Sequence, residues 1–169
     1  MRKFLDALYD GAAALAAVFL VGVLAMVMLS VFGRQFHFHV PGTDSYAGYL
    51  MASSGFLALA HTLKRGEHIR VTLLLAALQG RWKKSLELWA LALASLLSGM
   101  FAYYSCKLAW QSHSFHDIST GSDATPLWIP QLGMAVGTVI LAIAFIDELV
   151  LEISGHRVQR SSAEALRNE

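Results

Sequence analysis

The sequence predicts an all-α integral membrane protein with four transmembrane helices. Both termini are expected in the cytoplasm, with an amphipathic interfacial helix in the loop between helices 2 and 3. Three observations predict this. Four apolar stretches, approximately 11–32, 46–63, 86–110 and 127–151, fill most of the 169 residues. Charged residues make up 15% of the chain and hydrophobic ones 56%, with a mean hydropathy of +0.51, whereas soluble domains carry about 25% charged residues. The connecting segments also differ sharply in basicity. A helix rises about 1.5 Å per residue, so about 20 apolar residues cross a hydrocarbon core of about 30 Å. One helical membrane domain, 1–155, and a polar cytoplasmic tail, 156–169, account for the whole length.

The first stretch runs from Gly11 to Phe32 without a charged residue. Met1-Arg2-Lys3 ahead of it has the look of a secretory leader. The apolar run, however, exceeds the roughly 7–15 residues of a leader's core, and Ser30-Val31-Phe32 offers no small-residue cleavage site. A retained first helix is therefore expected. Phe4, Leu5 and Leu8 recur at helical spacing opposite Arg2, Lys3 and Asp6, which predicts a short interfacial lead-in. The second stretch is expected to end at Gly66, which suits a left-handed position just past a helix. Beyond it, Ile69 to Leu78 is apolar but too short to span. Flanked by Arg70 and by Arg81-Trp82-Lys83-Lys84, the segment 69–79 reads as a helix on the membrane surface.

The third stretch holds the single cysteine, Cys106, which cannot form an intrachain disulfide and is expected to pack as a small residue. Asp123 or Thr125 is expected to cap the fourth helix, with Pro126 in its first turn. Pro130 could instead start that helix later or bend it. After His156 the chain is polar.

Orientation follows from the basic residues. Arg2 and Lys3 precede helix 1. Lys64, Arg65, Arg70, Arg81, Lys83 and Lys84 lie between helices 2 and 3, and Arg157, Arg160 and Arg167 follow helix 4. The other two loops hold only Arg34, with Lys107 near the end of helix 3. The positive-inside rule then puts the termini and the middle loop in the cytoplasm. Tyr46, Tyr49, Tyr103, Tyr104, Trp110 and Trp128 fall at the outer interface, Trp82 and Trp89 at the inner one, as aromatic belts do.

The membrane interior holds no isolated charge near its middle. Autonomous ion-coupled transporters bury an ionisable side chain on the pathway, and here Glu87, Lys107, Asp147 and Glu148 all fall near helix ends. Asp147-Glu148 either reaches the interface and pairs with nearby basic side chains, or bridges to a basic partner subunit. Of seven histidines only His61 lies within a span, and a bis-histidine haem needs a second ligand facing it. His37, His39, His113 and His116 sit in the outer loops, and zinc would need three or four converging ligands. No nucleophile–base pair, phosphate-binding loop or cysteine-rich metal spacing is present. Catalytic, cofactor-binding and metal residues are therefore not expected, nor is an enzymatic activity or a nucleic-acid partner. Small-residue stripes stand out instead: Gly133-x-x-x-Gly137, Ala94-x-x-x-Ser98-x-x-x-Ala102, and Gly48, Ala52 and Gly55. Helices associate in membranes by close packing at such stripes, within a bundle or with an external partner.

The motifs together resemble one family. Val31-Phe32-Gly33-Arg34, followed by Pro41, resembles the end of the first helix in the small membrane subunit, the Q or DctQ type, of tripartite ATP-independent periplasmic (TRAP) transporters. Phe56-Leu57-Ala58-Leu59-Ala60, leading into Leu63-Lys64-Arg65-Gly66-Glu67-His68-Ile69-Arg70-Val71, resembles that family's apolar run and basic-Gly-x-His-Ile-x-Val turn. Pro126-Leu127-Trp128-Ile129-Pro130 and the later Gly137 are similar to its start of helix 4. The likeness covers nearly the whole chain in order. It departs from the pattern at Ala58 for glycine, Thr72 for aspartate and Ser53 for tryptophan, and only Asp44 represents the acidic residue before helix 2.

The resemblance implies a small permease subunit of the bacterial inner membrane, without transport chemistry of its own. It would enlarge the scaffold of the large (M type) membrane subunit, which holds the substrate path and the sodium sites. A periplasmic substrate-binding protein (P type) would deliver an organic acid. Under that resemblance Arg34, Gly66, Glu67, His68, Trp128, Gly133, Gly137, Asp147 and Glu148 are expected at the interface with partner subunit or lipid. Gly66, Glu67 and His68 would turn the chain onto the membrane surface, and Arg34 would bind lipid phosphate or a subunit carboxylate. Asp117 and Asp123 are expected to face the binding protein. The competing readings are an autonomous small four-helix exporter, a haem- or quinone-handling redox subunit, and an assembly factor.

Overall fold

A computed structural model describes residues 2–38, 40–65 and 81–154. The expectations for His39, Gly66, Glu67, His68, the surface helix 69–79 and the tail 156–169 lie outside the described residues. Within them the chain forms four helices: α1 (Arg2–Gln35), α2 (Thr43–Arg65), α3 (Arg81–Ser114) and α4 (Trp128–Ile153). The described residues contain no strand beyond one isolated bridge between Ile118 and Pro126.

Three of these helices, over Phe4–Gln35, Lys84–Ser114 and Trp128–Ile153, are long and apolar enough to cross a membrane. At 34 residues each, α1 and α3 are roughly 50 Å long, well beyond a hydrocarbon core of about 30 Å. Such helices tilt or protrude from the bilayer. α2 is shorter, 23 residues, and carries Ser53, Ser54, His61 and Thr62 among its apolar positions, so composition alone does not mark it as a span.

Neighbouring helices run in the spatial order α1, α2, α4, α3. α2 is thus enclosed between α1 and α4, and its polar groups find protein partners. Ser53 and Ser54 are buried, and the Ser54 hydroxyl donates to the Ala16 carbonyl of α1 at 2.8 Å. A core of Tyr9, Ala12 and Ala16 from α1, Leu57, Ala60 and Leu63 from α2, and Ile140, Leu141 and Ala144 from α4 joins the three at the end of the molecule where the chain begins. α3 packs on α4 through small residues: Ser98, Ala102, Ser105, Ala109 and Ser112 are buried, at alternating four- and three-residue steps, and Ala135, Thr138 and Ala142 are buried on α4. That spacing keeps one seam of a helix facing its neighbour. Its large side chains point away, with Leu96, Leu97, Met100 and Tyr103 exposed.

α1 includes the expected lead-in as well as the first apolar stretch. No break separates the lead-in from the span; the helix is continuous from Arg2 to Gln35. Tyr9 is 1% exposed, and Leu5 and Leu8 pack against the shared core, so protein contacts hold the first turns on the axis of the span.

The two 34-residue helices, α1 and α3, stop in the same way. His37 (φ 57°) and His116 (φ 56°) adopt the left-handed conformation. The Phe38 N–H donates back to the Gly33 carbonyl at 2.9 Å and the Asp117 N–H to the Ser112 carbonyl at 3.0 Å. Each is a Schellman ending, with histidine where glycine is commoner. At Gly33 a side chain would also meet the Phe38 carbonyl oxygen, 2.8 Å from the Cβ position.

The start of α4 corrects an expectation. Leu127 occupies the cap position with no side-chain hydrogen bond, so neither Asp123 nor Thr125 caps the helix. Pro126 lies in the bridge to Ile118. Pro130 falls in the first turn, where its missing N–H is no loss.

Candidate functional site

Two polar clusters and one open helix face stand out. At the end carrying loops 36–42 and 115–127, the loop before α4 is tied to the start of α2. The Tyr49 hydroxyl donates to Asp123 Oδ2 at 3.1 Å and lies 2.9 Å from Ser119 Oγ, while Ser119 donates to Asp123 Oδ1 at 3.0 Å. Thr125 Oγ1 and the Tyr46 hydroxyl are 3.0 Å apart. Tyr46 and Tyr49 meet edge-on, 6.2 Å between ring centres. Gly42 (φ 82°) passes so close that a Cβ there would sit 2.7 Å from that of Asp123. Hydrogen bonding from the Thr125 hydroxyl, helped by Ser119, the Asp123 backbone amide and Tyr49 and opposed by burial, lowers the Asp123 carboxyl from its ordinary 3.8 to about 2. Asp123 is therefore a charged clasp across the loop.

Beside this clasp, between the end of α1 and the start of α2, lies a cleft of about 410 Å³. Ser30, Arg34, His37, Thr43 and Asp44 line its polar side and Leu29, Phe38 and Val40 its apolar side. Arg34 is exposed. Ser30 Oγ lies 3.4 Å from Asp44 Oδ1.

At the opposite end α1 and α2 are cross-linked by charge. Asp6 and Asp10, four residues apart, face Lys64 and His61, three apart: Lys64 Nζ pairs with Asp6, and His61 Nδ1 is 3.5 Å from Asp10 Oδ1. The Lys64 ammonium also sits 5.2 Å from the centre of the Tyr9 ring, a cation–π geometry. The Tyr9 hydroxyl is buried with no hydrogen-bond partner among the described residues, and Asp147 and Glu148 of α4 lie near enough to act on it electrostatically.

The structure brings the expected residues together only in part. Gly133 and Gly137 meet α2 of the same chain. A Cβ on Gly133 would collide with the Ser53 side chain, and one on Gly137 would lie 2.6 Å from the backbone carbonyl carbon of Phe56. The Gly48, Ala52 and Gly55 stripe does the opposite: all three are exposed, and the two glycines have nothing within 4 Å of a Cβ position. Asp147 and Glu148 are half-buried at one end of the molecule, Asp117 is exposed at the other, and Arg34 lines the cleft. Trp128 lies edge-on to His113, 5.4 Å between ring centres. The described residues hold no group of three or more His, Cys, Asp or Glu arranged for a metal ion.

Sequence reasoning missed the ladder joining α1 to α2 and the Tyr49–Ser119–Asp123 clasp. The ladder carries a signal. α1 begins where α2 ends, so Asp6 and Asp10 share a depth with Lys64 and His61, with opposite charges at one-turn spacings. The clasp carries none, because its members are 70 and 74 residues apart in the chain.

Residues 23–155 match the family model described as "Tripartite ATP-independent periplasmic transporters, DctQ component". Among curated proteins no match to the chain is found.

Proposed function

The chain belongs to the DctQ component family of tripartite ATP-independent periplasmic transporters, and on that premise we propose that it braces the large subunit of a sodium-coupled, binding-protein-dependent importer of an organic acid. The family match over residues 23–155 carries the reading. In it the chain is a multi-pass protein of the inner membrane with both termini cytoplasmic. α2 is the fourth span, tolerated despite its serines because α1 and α4 cover them. The reading gives the chain no reaction and no cofactor; substrate and sodium sites belong to the large subunit.

Physical features support a brace. α1 and α3 expose rows of large apolar side chains, Leu20, Val21 and Leu24 on one and Leu96, Leu97 and Met100 on the other, suited to lipid or to another membrane chain. The open stripe of Gly48, Ala52 and Gly55 lets a foreign helix approach the α2 backbone closely, and we assign the large subunit to it. Asp147, Glu148, Gly66, Glu67 and His68 are further contacts at the cytoplasmic side, and Trp128 anchors the outer side. Asp117 is assigned to the docked binding protein, with Asp123 holding the loop that presents it.

The experiment is disulfide cross-linking. With the exposed Cys106 replaced by serine, Gly48→Cys and Gly55→Cys are each co-expressed with a large subunit carrying cysteines along its scaffold helices. A cross-linked species of the summed mass is expected for both. Recovery of the folded chain alone, with no cross-link and no large subunit, would contradict the reading.

A further inference from the structure

The cleft between α1 and α2 is not used by the bracing role, and its chemistry is specific. Arg34 and Asp44 line the same space, yet they form no ion pair with each other; the ion pairs among the described residues are His61–Asp10 and Lys64–Asp6. A cleft presenting a guanidinium and a carboxylate separately is complementary to a zwitterion. Ser30, His37 and Thr43 add hydrogen-bonding groups to its lining.

Its depth points to the source of that zwitterion. The uncharged run Gly11–Phe32 ends one residue before Gly33-Arg34, so the cleft sits at headgroup level. Its apolar wall includes Leu29, and Leu29, Ala25, Val21 and Val18 continue along α1 at three- and four-residue steps, all exposed. Residues so spaced lie on one helix face, forming a track for an acyl chain.

We propose that this cleft binds one phospholipid whose headgroup carries both a phosphodiester and a primary ammonium, the phosphatidylethanolamine class. Arg34 takes the phosphate through its forked donors. Asp44 accepts from the ammonium. A quaternary headgroup has no N–H to give Asp44, and a glycerol headgroup has no cation, so phosphatidylcholine and phosphatidylglycerol each lose half of the recognition. The bound lipid fills the space between α1 and α2 and fixes the loop 36–42 that leads to the clasp.

The test uses the full-length chain, delipidated in detergent, with native mass spectrometry reading retained lipid as each class is titrated. Phosphatidylethanolamine is expected to bind as a single copy at concentrations about ten-fold lower than the other two classes. That factor corresponds to one charge-assisted hydrogen bond. Arg34→Gln is expected to weaken it by about ten-fold or more, Arg34→Lys by less, and Asp44→Asn to abolish the preference over phosphatidylglycerol. Inorganic phosphate at millimolar concentration is expected not to compete, since it has neither the ammonium nor the tail. Wild-type retention of the lipid by Arg34→Gln, equal uptake of all three classes, or displacement by free phosphate would overturn the proposal. So would an Arg34→Gln chain that keeps its lipid but loses a co-expressed large subunit, which would assign Arg34 to a protein carboxylate. If Arg34→Gln fails to fold, Asp44→Asn decides alone: an unchanged preference refutes the site. The lipid titrations themselves need no large subunit, so the lipid site can fail while the bracing role stands, and the reverse.

Discussion

Replacing Gly137 with alanine places a methyl carbon where no room exists for it. The Cβ would lie 2.6 Å from the Phe56 carbonyl carbon, 2.7 Å from its oxygen and 2.8 Å from its Cβ. Ordinary carbon contacts are about 3.5–4.0 Å, so α2 and α4 would separate locally by roughly 1 Å. The obstacle is mostly backbone, which no rotamer change relieves. Overpacking of this kind costs about 1–3 kcal/mol. For a chain of this size a kcal/mol corresponds to about 2–4 °C in Tm, so a fall of roughly 2–12 °C is expected in detergent, followed by circular dichroism at the helix band. Gly48→Ala is the matched control, because a Cβ there meets nothing within 4 Å; its Tm should stay level or rise slightly, as alanine favours helix. Equal melting of the two variants would refute the close α2–α4 approach and the assignment of inward and outward glycines with it.

Other expectations follow from the two ends. Because the Asp123 carboxyl is held at about 2 against an ordinary 3.8, its contribution is complete above about pH 4. It is lost as the pH falls through the folded value near 2. The loop 115–127 should therefore loosen as the pH falls below about 4, read as faster amide hydrogen exchange corrected for its intrinsic pH dependence, and Asp123→Asn should remove that acid transition. Tyr49→Phe deletes the donor to Asp123 and the 2.9 Å contact with Ser119. A loss of about 1–2 kcal/mol is expected in chemical denaturation, with faster protease cleavage within 115–127. Asp6→Asn breaks a half-exposed ion pair and should cost under about 1 kcal/mol, checked by the same denaturation assay.

The helices were legible because period and apolarity are local properties. The apolar segments 11–32, 46–63 and 86–110 each fall within one helix, and 127–151 does so but for Leu127 at the cap; the helices extend further than the apolar runs because charged or polar turns still find partners. Asp6 at Lys64 is one such case, and Ser112 buried on the α3 seam is another. The two Schellman endings were not legible, since histidine gives no glycine-like signal at a left-handed position. Asp123 stands just before a proline and an apolar run, the local pattern of a helix cap. Thr125, Ser119 and the sequence-distant Tyr49 bind its carboxylate instead, and Leu127 takes the cap position with no side-chain hydrogen bond. The small-residue stripes were visible, but their directions were not. Only the packing order α1, α2, α4, α3 decides that Gly137 faces inward and Gly55 outward. The Arg34 cleft needed the left-handed His37 turn to bring α2 back beside α1.

The bracing role is tested most directly by solute uptake into proteoliposomes of defined composition, under a sodium gradient and with the binding protein supplied outside. Uptake is expected when this chain and the large subunit are reconstituted together, to fall sharply when this chain is omitted, and to be absent when it is present alone. Solute accumulation by vesicles containing only this chain would contradict the account.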